Sequence, residues 1–122
     1  MLKTIGQTEA ELTTAIVQFE KEYLGRGPKD ARTYIINDMI FIRLQGLLTP
    51  AEQKLSQNKE GRNLVKETRR QLFESSRPLL EQVVTNITGA NVISLHTDMS
   101  SKTGERIVVL TTDTNLEEKY NR

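Results

Sequence analysis

The chain has 122 residues, of which 36% are hydrophobic and 27% are charged, and its formal net charge is +1. A chain of this length and composition is typical of one globular domain, so we expect residues 1–122 to fold around a single core. It contains no cysteine, which excludes disulfides, thiol nucleophiles and Cys-based zinc sites. No nucleophile–base pair is evident around its one histidine, His96. We therefore expect a protein that is not an enzyme, with no catalytic residue, bound metal or cofactor.

The distribution of apolar and charged residues predicts a cytoplasmic protein. Residues 1–10 alternate between polar and apolar types and lack the apolar segment of a signal peptide. The apolar run at residues 39–42 is far too short to cross a bilayer. The 17 basic and 16 acidic residues nearly balance, so no overall field attracts nucleic acid or an anionic membrane. Any electrostatic role must come from local clusters of charge.

The first half of the chain predicts a helix, a hairpin and a short second helix. Apolar residues spaced three and four apart indicate a helix over residues 9–24, with Thr8 as its N-cap. Residues 32–36 and 39–44 are rich in β-branched and aromatic types, and the Asn-Asp pair between them suits a two-residue hairpin turn. Residues 49–55 then begin with a Thr-Pro-Ala-Glu capping box, which predicts a short helix.

The longest helical pattern covers residues 58–88 and ends at Gly89. Pro78 lies inside this pattern, where it removes a hydrogen-bond donor. We therefore expect a kink, or two helices of which the second is capped by Ser75 or Ser76. The predicted core-facing seam comprises Leu64, Val65, Thr68, Leu72, Ser76, Leu79, Val83 and Ile87.

A second hairpin is predicted in the last third of the chain. Residues 91–99 alternate between two sets of side chains with the period of a strand, and residues 106–112 supply the partner strand. The polar, Gly-containing segment 100–105 would connect them. Residues 1–7 and 114–122 are predicted to be flexible ends.

The element order α-β-β-α-α-β-β predicts a two-layer α+β fold, in which helices pack on one face of a four-stranded antiparallel sheet. The other face would carry Arg32, Tyr34, Arg43 and Gln45 or their neighbours, depending on register. Because such a face is half apolar, we expect the protein to associate into a homodimer.

The sharpest charge feature is a basic stripe on the long predicted helix. Its five members fall within an arc of roughly 100° on a helical wheel: Arg62, Lys66, Arg69, Arg70 and Arg77. Arginine presents a planar fork to two oxygens, so the stripe is suited to phosphates, anionic headgroups or an acidic partner. The alternative interpretation is a solvated face with Glu-Arg pairs at its edge. Only Phe73 interleaves the stripe, which disfavours single-stranded nucleic acid as a ligand.

The loop at residues 100–106 supplies further candidate binding residues, namely Lys102, Thr103 and Arg106. It is not a Walker loop, because Gly104 follows the threonine and opens a strand, whereas a Walker lysine follows its glycine and starts a helix. The simpler interpretation is a hairpin turn with Gly104 at positive φ, and a ligand or partner contact is the alternative.

His96 and Asp98 lie two residues apart on a predicted strand and so share one face. The carboxylate could tune the imidazole or share a metal ion with it. Two ligands do not complete a metal site, and a surface histidine is the simpler interpretation.

Nearly the whole chain resembles a small bacterial family of uncharacterised proteins. The resemblance is carried by residues 27–52 and 96–106 and by the pairs Gly61-Arg62, Val65-Lys66, Arg69-Arg70, Arg77-Pro78 and Thr88-Gly89. This family is similar to the MpsC-type component of a Na+-translocating, membrane-potential-generating system, and its relatives occur with membrane proteins linked to inorganic-carbon uptake. The resemblance implies a soluble accessory or regulatory subunit, peripheral at the inner face of the membrane through a partner. It carries over no catalytic residue.

Three functional hypotheses follow. The leading one is a regulatory protein that docks on a membrane complex, or senses a small anion, through the basic stripe and the polar loop. The second is a nucleic-acid-associated regulator that uses the same stripe, which the balanced net charge disfavours. The third and weakest is a hydrolase or lyase that uses His96 and Asp98.

Overall fold

The computed structural model describes residues 3–120. In chain order, its elements are α1 (Ile5–Tyr23), β1 (Asp30–Ile36), β2 (Met39–Gln45), α2 (Pro50–Leu55), α3 (Lys59–Thr88), β3 (Val92–Met99), β4 (Arg106–Thr112) and α4 (Leu116–Lys119). The predicted order α-β-β-α-α-β-β is confirmed, and α4 follows it as one additional helix.

The four strands form one antiparallel sheet in the order β1-β2-β4-β3. The first hairpin turns through Asn37, whose φ of 56° is the positive value that the predicted turn requires. The second hairpin turns through the polar loop, with Gly104 at a φ of 75°. The two hairpins meet along β2 and β4, which therefore form the centre of the sheet.

The core lies between one face of the sheet and the helices. Alternate residues of the central strands point into it, and Ile40, Leu44 and Leu110 are all fully buried. They belong to the same buried cluster as Leu12, Ile16 and Phe19 of α1 and Phe73, Leu80 and Val84 of α3. The predicted two-layer α+β architecture, with helices on one face of the sheet, is confirmed.

The first helix begins one turn earlier than predicted. Its N-cap is Thr4, whose Oγ1 accepts a hydrogen bond from Gln7 N at 3.1 Å, while Thr4 N donates to Gln7 Oε1 at 2.9 Å. Thr8, the predicted cap, is buried inside the helix. The apolar stripe already starts at Ile5, which is buried, so residues 5–7 belong to α1 and are not a flexible end.

The C-terminal segment also differs from the prediction of a flexible tail. Leu116 and Tyr120 are buried in the main core cluster, four residues apart on α4 and its C-cap. The Tyr120 hydroxyl donates to the Thr88 carbonyl at 2.9 Å, and Lys119 Nζ donates to the same oxygen at 2.6 Å. Of the predicted flexible ends, residues 1, 2, 121 and 122 lie outside the described part of the chain.

The long helix α3 is continuous through Pro78, so the two-helix alternative is wrong. Ser76, one of the two serines expected as a second cap, is a buried residue inside the helix. The helix is capped by Asn58, whose Oδ1 accepts from Gly61 N at 2.7 Å, and it ends at Gly89 as predicted. Although α3 has 30 residues, neither it nor any other helix within residues 3–120 is both long and apolar enough to span a bilayer.

The buried face of α3 is rotated from the predicted seam. Its buried residues are Gly61, Val65, Arg69, Phe73, Ser76, Leu80, Val84 and Thr88. Leu64, Leu72 and Leu79, which were predicted to face the core, are 58%, 40% and 48% exposed. The physical reason is that α3 carries apolar residues at adjacent positions, so its periodicity permits two neighbouring stripes and packing selects one.

Candidate functional site

Three of the predicted basic residues meet where α3 passes along the sheet near β3. A cavity of about 140 Å³ opens between them and is lined by Lys66, Arg70, Phe73, Glu74, Thr97, Asp98, Met99 and Arg106. The side chains come from α3, β3 and the first residue of β4. Tertiary structure therefore brings Lys66 and Arg70 of the stripe together with Arg106 of the second hairpin.

Arg106 is the fixed cation of this cavity. Its side chain is buried, its Nη1 donates to Thr97 Oγ1 at 2.9 Å, and its guanidinium carbon lies 4.5 Å from the centroid of the Phe73 ring. The cation–π contact and the hydrogen bond hold the planar group in one orientation. Burial lowers the pKa of Arg106, and the negative charge of Glu20 opposes that change.

Glu20 of α1 is an interior carboxyl group that the sequence analysis missed. It is fully buried, and neither carboxylate oxygen has a hydrogen-bond partner within residues 3–120. Burial raises its pKa from 4.5 to about 7, against the opposing influence of the Arg106 and Arg69 charges. The signal was present in the sequence, because position 20 continues the buried spacing of Leu12 and Ile16 by one more helical turn.

Arg69 does not belong to the exposed stripe. Its side chain is only 4% exposed, and it makes a bidentate ion pair with Glu52, from Nε to Oε2 at 2.9 Å and from Nη2 to Oε1 at 2.7 Å. Nη2 also donates to the Leu47 carbonyl at 2.9 Å. Burial raises the pKa of Glu52, but hydrogen bonds from Arg69 and Thr49 outweigh it and hold the pKa below its usual value. The bidentate pair thus ties α3 to α2.

A shallow groove adjoins the cavity beside the second hairpin loop. Arg62, Lys66 and Lys102 line it together with Asp98 and Glu105. Lys66 Nζ lies 3.2 Å from an oxygen of Asp98, and both side chains remain substantially exposed. Lys102 is exposed at the tip of the loop. We call the cavity and this groove together the basic cleft; its cations are Arg62, Lys66, Arg70, Lys102 and Arg106.

Thr103 has a local role in the loop. Its N–H donates to Ser100 Oγ at 3.2 Å, and its Oγ1 accepts from Glu105 N at 3.3 Å. Together with the positive φ of Gly104, these bonds confirm the hairpin-turn interpretation of the segment. The side chain of Thr103 is exposed but does not line the basic cleft as defined above.

The remaining stripe residues are engaged with acidic neighbours on α3. Arg70 Nη2 lies 2.6 Å from Glu67, and this hydrogen bond lowers the pKa of Glu67 to about 2. Arg77 Nε donates to Glu81 at 3.0 Å, and its Nη2 donates to the Leu95 carbonyl at 2.9 Å. Arg77 thus attaches α3 to β3 and does not line the cavity. The interpretation of the stripe as a face with Glu-Arg pairs applies to this part of it.

His96 and Asp98 share one face of β3, as the alternation predicted, and Asp98 lies at the end of this edge strand, where Lys66 of α3 reaches it. The N–H of Met99 lowers the pKa of Asp98, and Lys66 lowers it further. Within residues 3–120, no group of three or more His, Cys, Asp or Glu side chains is arranged to hold a metal ion.

Two curated relatives resemble the chain over most of its length. The protein YbcI of Bacillus subtilis (strain 168), described as uncharacterized, is 43% identical over 122 residues, which are 100% of this chain and 98% of the relative. The protein YrhF of the same organism, also described as uncharacterized, is 26% identical over 111 residues, which are 89% of this chain and 90% of the relative. No solved structure matches the chain significantly.

A family model provides the broader classification. It is described as "Na+-translocating membrane potential-generating system (MpsC)", and it matches residues 4–114. The match extends from the N-cap of α1 to the segment that follows β4 and therefore includes every residue of the basic cleft. Because this match spans most of the sequence, the chain belongs to the MpsC family.

Proposed function

We propose that this protein acts by binding, as an accessory or regulatory component of a Na+-translocating or inorganic-carbon-related membrane system. The family description supports the connection to such a system. The basic cleft supports the mode of action, since it is the place where cations from two separate elements converge. The single observation that carries the proposal is the buried and oriented guanidinium of Arg106 at the cavity wall, with Lys66 and Arg70 beside it.

The chemistry of the cleft favours a carboxylate or another oxyanion as the group that it binds. Removing an arginine from water costs free energy, so a buried guanidinium is expected to have compensating contacts. Arg106 obtains part of this compensation from Thr97 and Phe73. A planar guanidinium presents paired N–H donors that match two oxygens of one anion. An acidic segment of a membrane partner would supply such a group.

The proposal is tested by affinity capture from gently solubilised native membranes. The informative variant is Lys66→Gln/Lys102→Gln, which removes two exposed cations of the basic cleft and leaves its structural arginines unchanged. The matched control is Lys21→Gln/Lys29→Gln, which removes the same charge from exposed sites elsewhere. The wild type and the control should recover an integral membrane protein that the cleft variant loses.

Two results would contradict docking through the cleft. One is equal recovery of the membrane partner by all three proteins, because the basic cleft would then not be its contact. The other is recovery of nucleic acid alone, with binding that weakens steeply as salt is raised, which would support the nucleic-acid hypothesis instead.

A free small anion is an alternative ligand with the same oxyanion chemistry, and the cavity of about 140 Å³ beside Arg106 favours it because it is small. A ligand that binds only the folded state raises the melting temperature. Inorganic phosphate and bicarbonate should therefore stabilise the wild type and the Lys21→Gln/Lys29→Gln control, but not Lys66→Gln/Arg70→Gln. If neither anion stabilises the wild type, the free-anion source is rejected.

A further inference from the structure

The sheet has a second face that no helix within residues 3–120 covers. The strand registers align its side chains in three transverse rows across β1, β2, β4 and β3. The rows are Arg32–Arg43–Ile107–Asp98, Tyr34–Phe41–Val109–His96 and Ile36–Met39–Thr111–Ser94. We call this surface the open face.

The middle of the open face is largely apolar. Tyr34, Ile36 and Ile107 are 49%, 44% and 37% exposed, although each has a large apolar side chain. Phe41 and Val109, on the central strands, are half-buried. A contiguous apolar area with a polar rim is typical of a protein–protein contact.

Three charges lie in one row of the open face: Arg32 and Asp98 at its opposite edges, and Arg43 on the central strand β2, where it is paired with Glu105. Arg32 stands on the edge strand β1, and Asp98 stands on the edge strand β3. The guanidinium of Arg32 is largely exposed, and Asp30 lies 3.9 Å from it. The carboxylate of Asp98 is 78% exposed even though Lys66 Nζ lies 3.2 Å from its Oδ1 and 3.5 Å from its Oδ2. An ionised carboxylate has about four lone-pair sites on its two oxygens, so Asp98 retains capacity for a second cation.

We propose that two copies of this chain stack open face to open face, about a two-fold axis that runs parallel to the strands between β2 and β4. This rotation places β1 of one subunit over β3 of the other. Each row then faces the same row of the partner subunit, in the opposite strand order. Arg32 then faces Asp98 of the partner subunit, and Phe41 faces the partner's Val109. The same pairs recur on the other side of the axis, because a two-fold contact is self-complementary.

The charge pattern favours this axis, and it favours a second copy of the chain as the partner that covers the open face. A two-fold axis perpendicular to the strands would place β1 over β1 and reverse the rows, so that Arg32 would face Ile36 of the partner subunit. With the parallel axis, Arg32 and Asp98 pair across the interface, and Arg43, which Glu105 already neutralises, lies over Ile107 of the partner subunit. The resulting arrangement is an aligned packing of two sheets, which lie about 10 Å apart in proteins of this architecture.

Engineered thiols test the axis directly, because the natural sequence contains no cysteine. Tyr34→Cys and His96→Cys place thiols in the same row on opposite edge strands. In the proposed dimer, the two positions face one another across the sheet separation of about 10 Å, which is beyond the reach of a disulfide and within that of a short bis-maleimide. With a short bis-maleimide, a mixture of the two single variants should form a covalent heterodimer, whereas each variant alone should remain non-covalent.

Specific results would overturn the proposal. Efficient self-cross-linking of His96→Cys alone would indicate the perpendicular axis. A wild-type protein that sediments as a monomer at micromolar concentrations would exclude the dimer. A dimer that forms without any cross-link between the two variants would place the interface elsewhere on the surface.

Charge exchange supplies an independent measurement that does not depend on thiols. Arg32→Glu and Asp98→Lys should each raise the dimer dissociation constant by about tenfold, because symmetry repeats every pair twice. The double exchange should restore association to within about threefold of the wild type. Lys29→Glu, an exposed charge reversal away from the rows, is the control and should leave the constant unchanged. Failure of the double exchange to recover association would contradict the assigned pairing.

Discussion

Glu20 is a buried residue whose ionisation the fold changes strongly. Its pKa is raised from 4.5 to about 7, chiefly because burial disfavours the carboxylate. Between these two pH values, the folded protein holds a proton that the unfolded chain has released. The free energy of unfolding therefore falls as pH rises from 4.5 to about 7. Above this range, Glu20 lowers it no further.

The first prediction concerns this titration. Glu20→Gln cannot ionise, so its free energy of unfolding should exceed that of the wild type by an amount that grows from about pH 5 to about pH 8. Urea unfolding at several pH values measures the difference. Glu22→Gln, an exposed change on the same helix, should retain the pH profile of the wild type. Parallel profiles for Glu20→Gln and the wild type would show that Glu20 does not titrate in this range.

The second prediction concerns Arg69, which a helical wheel places beside residues that are exposed. Arg69→Gln should lower the free energy of unfolding by about 2–3 kcal/mol, because loss of the bidentate ion pair leaves the Glu52 carboxylate without its cation. The neighbouring Arg70→Gln breaks a pair that solvent screens and should leave the free energy of unfolding close to that of the wild type. Denaturant unfolding of the two variants measures both values. Equal costs would contradict a folding role for Arg69.

At the scale of elements, α3 shows the limit of periodicity. The helix contains apolar neighbours such as Leu72-Phe73 and Leu79-Leu80. Either member of each pair continues a stripe with spacings of three and four, so the pattern along the sequence does not choose between them. The contact with α1 and the sheet makes the choice, and it places Phe73 and Leu80 in the core.

The third prediction tests which stripe of α3 is buried. Leu80→Ala should cost about 3 kcal/mol, because Leu80 is fully buried and the substitution leaves a cavity. Leu79→Ala, one residue earlier and half-exposed, should cost less than about 1 kcal/mol. Chemical denaturation of this adjacent pair measures the contrast. A larger cost for Leu79→Ala would mean that the opposite stripe faces the sheet.

At the scale of the whole molecule, the C-terminal segment closes the fold. Leu116 is fully buried, and its N–H donates to the carbonyl of Asn37 in the first hairpin turn at 2.9 Å. Tyr120 donates to Thr88 at the end of α3. The segment therefore connects the turn of the first hairpin to the C-terminal end of α3.

The fourth prediction follows from this connection. Leu116→Ala should lower the free energy of unfolding by about 3 kcal/mol, because it opens a cavity in the main core. Glu118→Ala, an exposed change on the same short helix, should be within about 1 kcal/mol of the wild type. The loss should be visible in thermal unfolding as a lower melting temperature. Equal stability of the two variants would show that the segment is dispensable for the fold.

The sequence by itself determined the elements and their order, together with features that depend on a few adjacent residues. The Thr49–Glu52 capping box, the turn at Asn37 and the stop at Gly89 are examples, and all three are confirmed. A cap or turn is recognisable because its hydrogen bonds join residues within about four positions of one another. The alternation of side chains between the two faces of β3 was also recognisable, because it repeats every two residues.

Only the tertiary structure decided which basic residues share a site and which stabilise the interior. Arg69 pairs with Glu52 across 17 positions of sequence, and Tyr120 bonds to Thr88 across 32. The strand order β1-β2-β4-β3 likewise depends on the pairing of β2 with β4, which lie on different hairpins. Such contacts form when distant segments bury apolar surface together, and that packing decides whether a charge points into the core or into water.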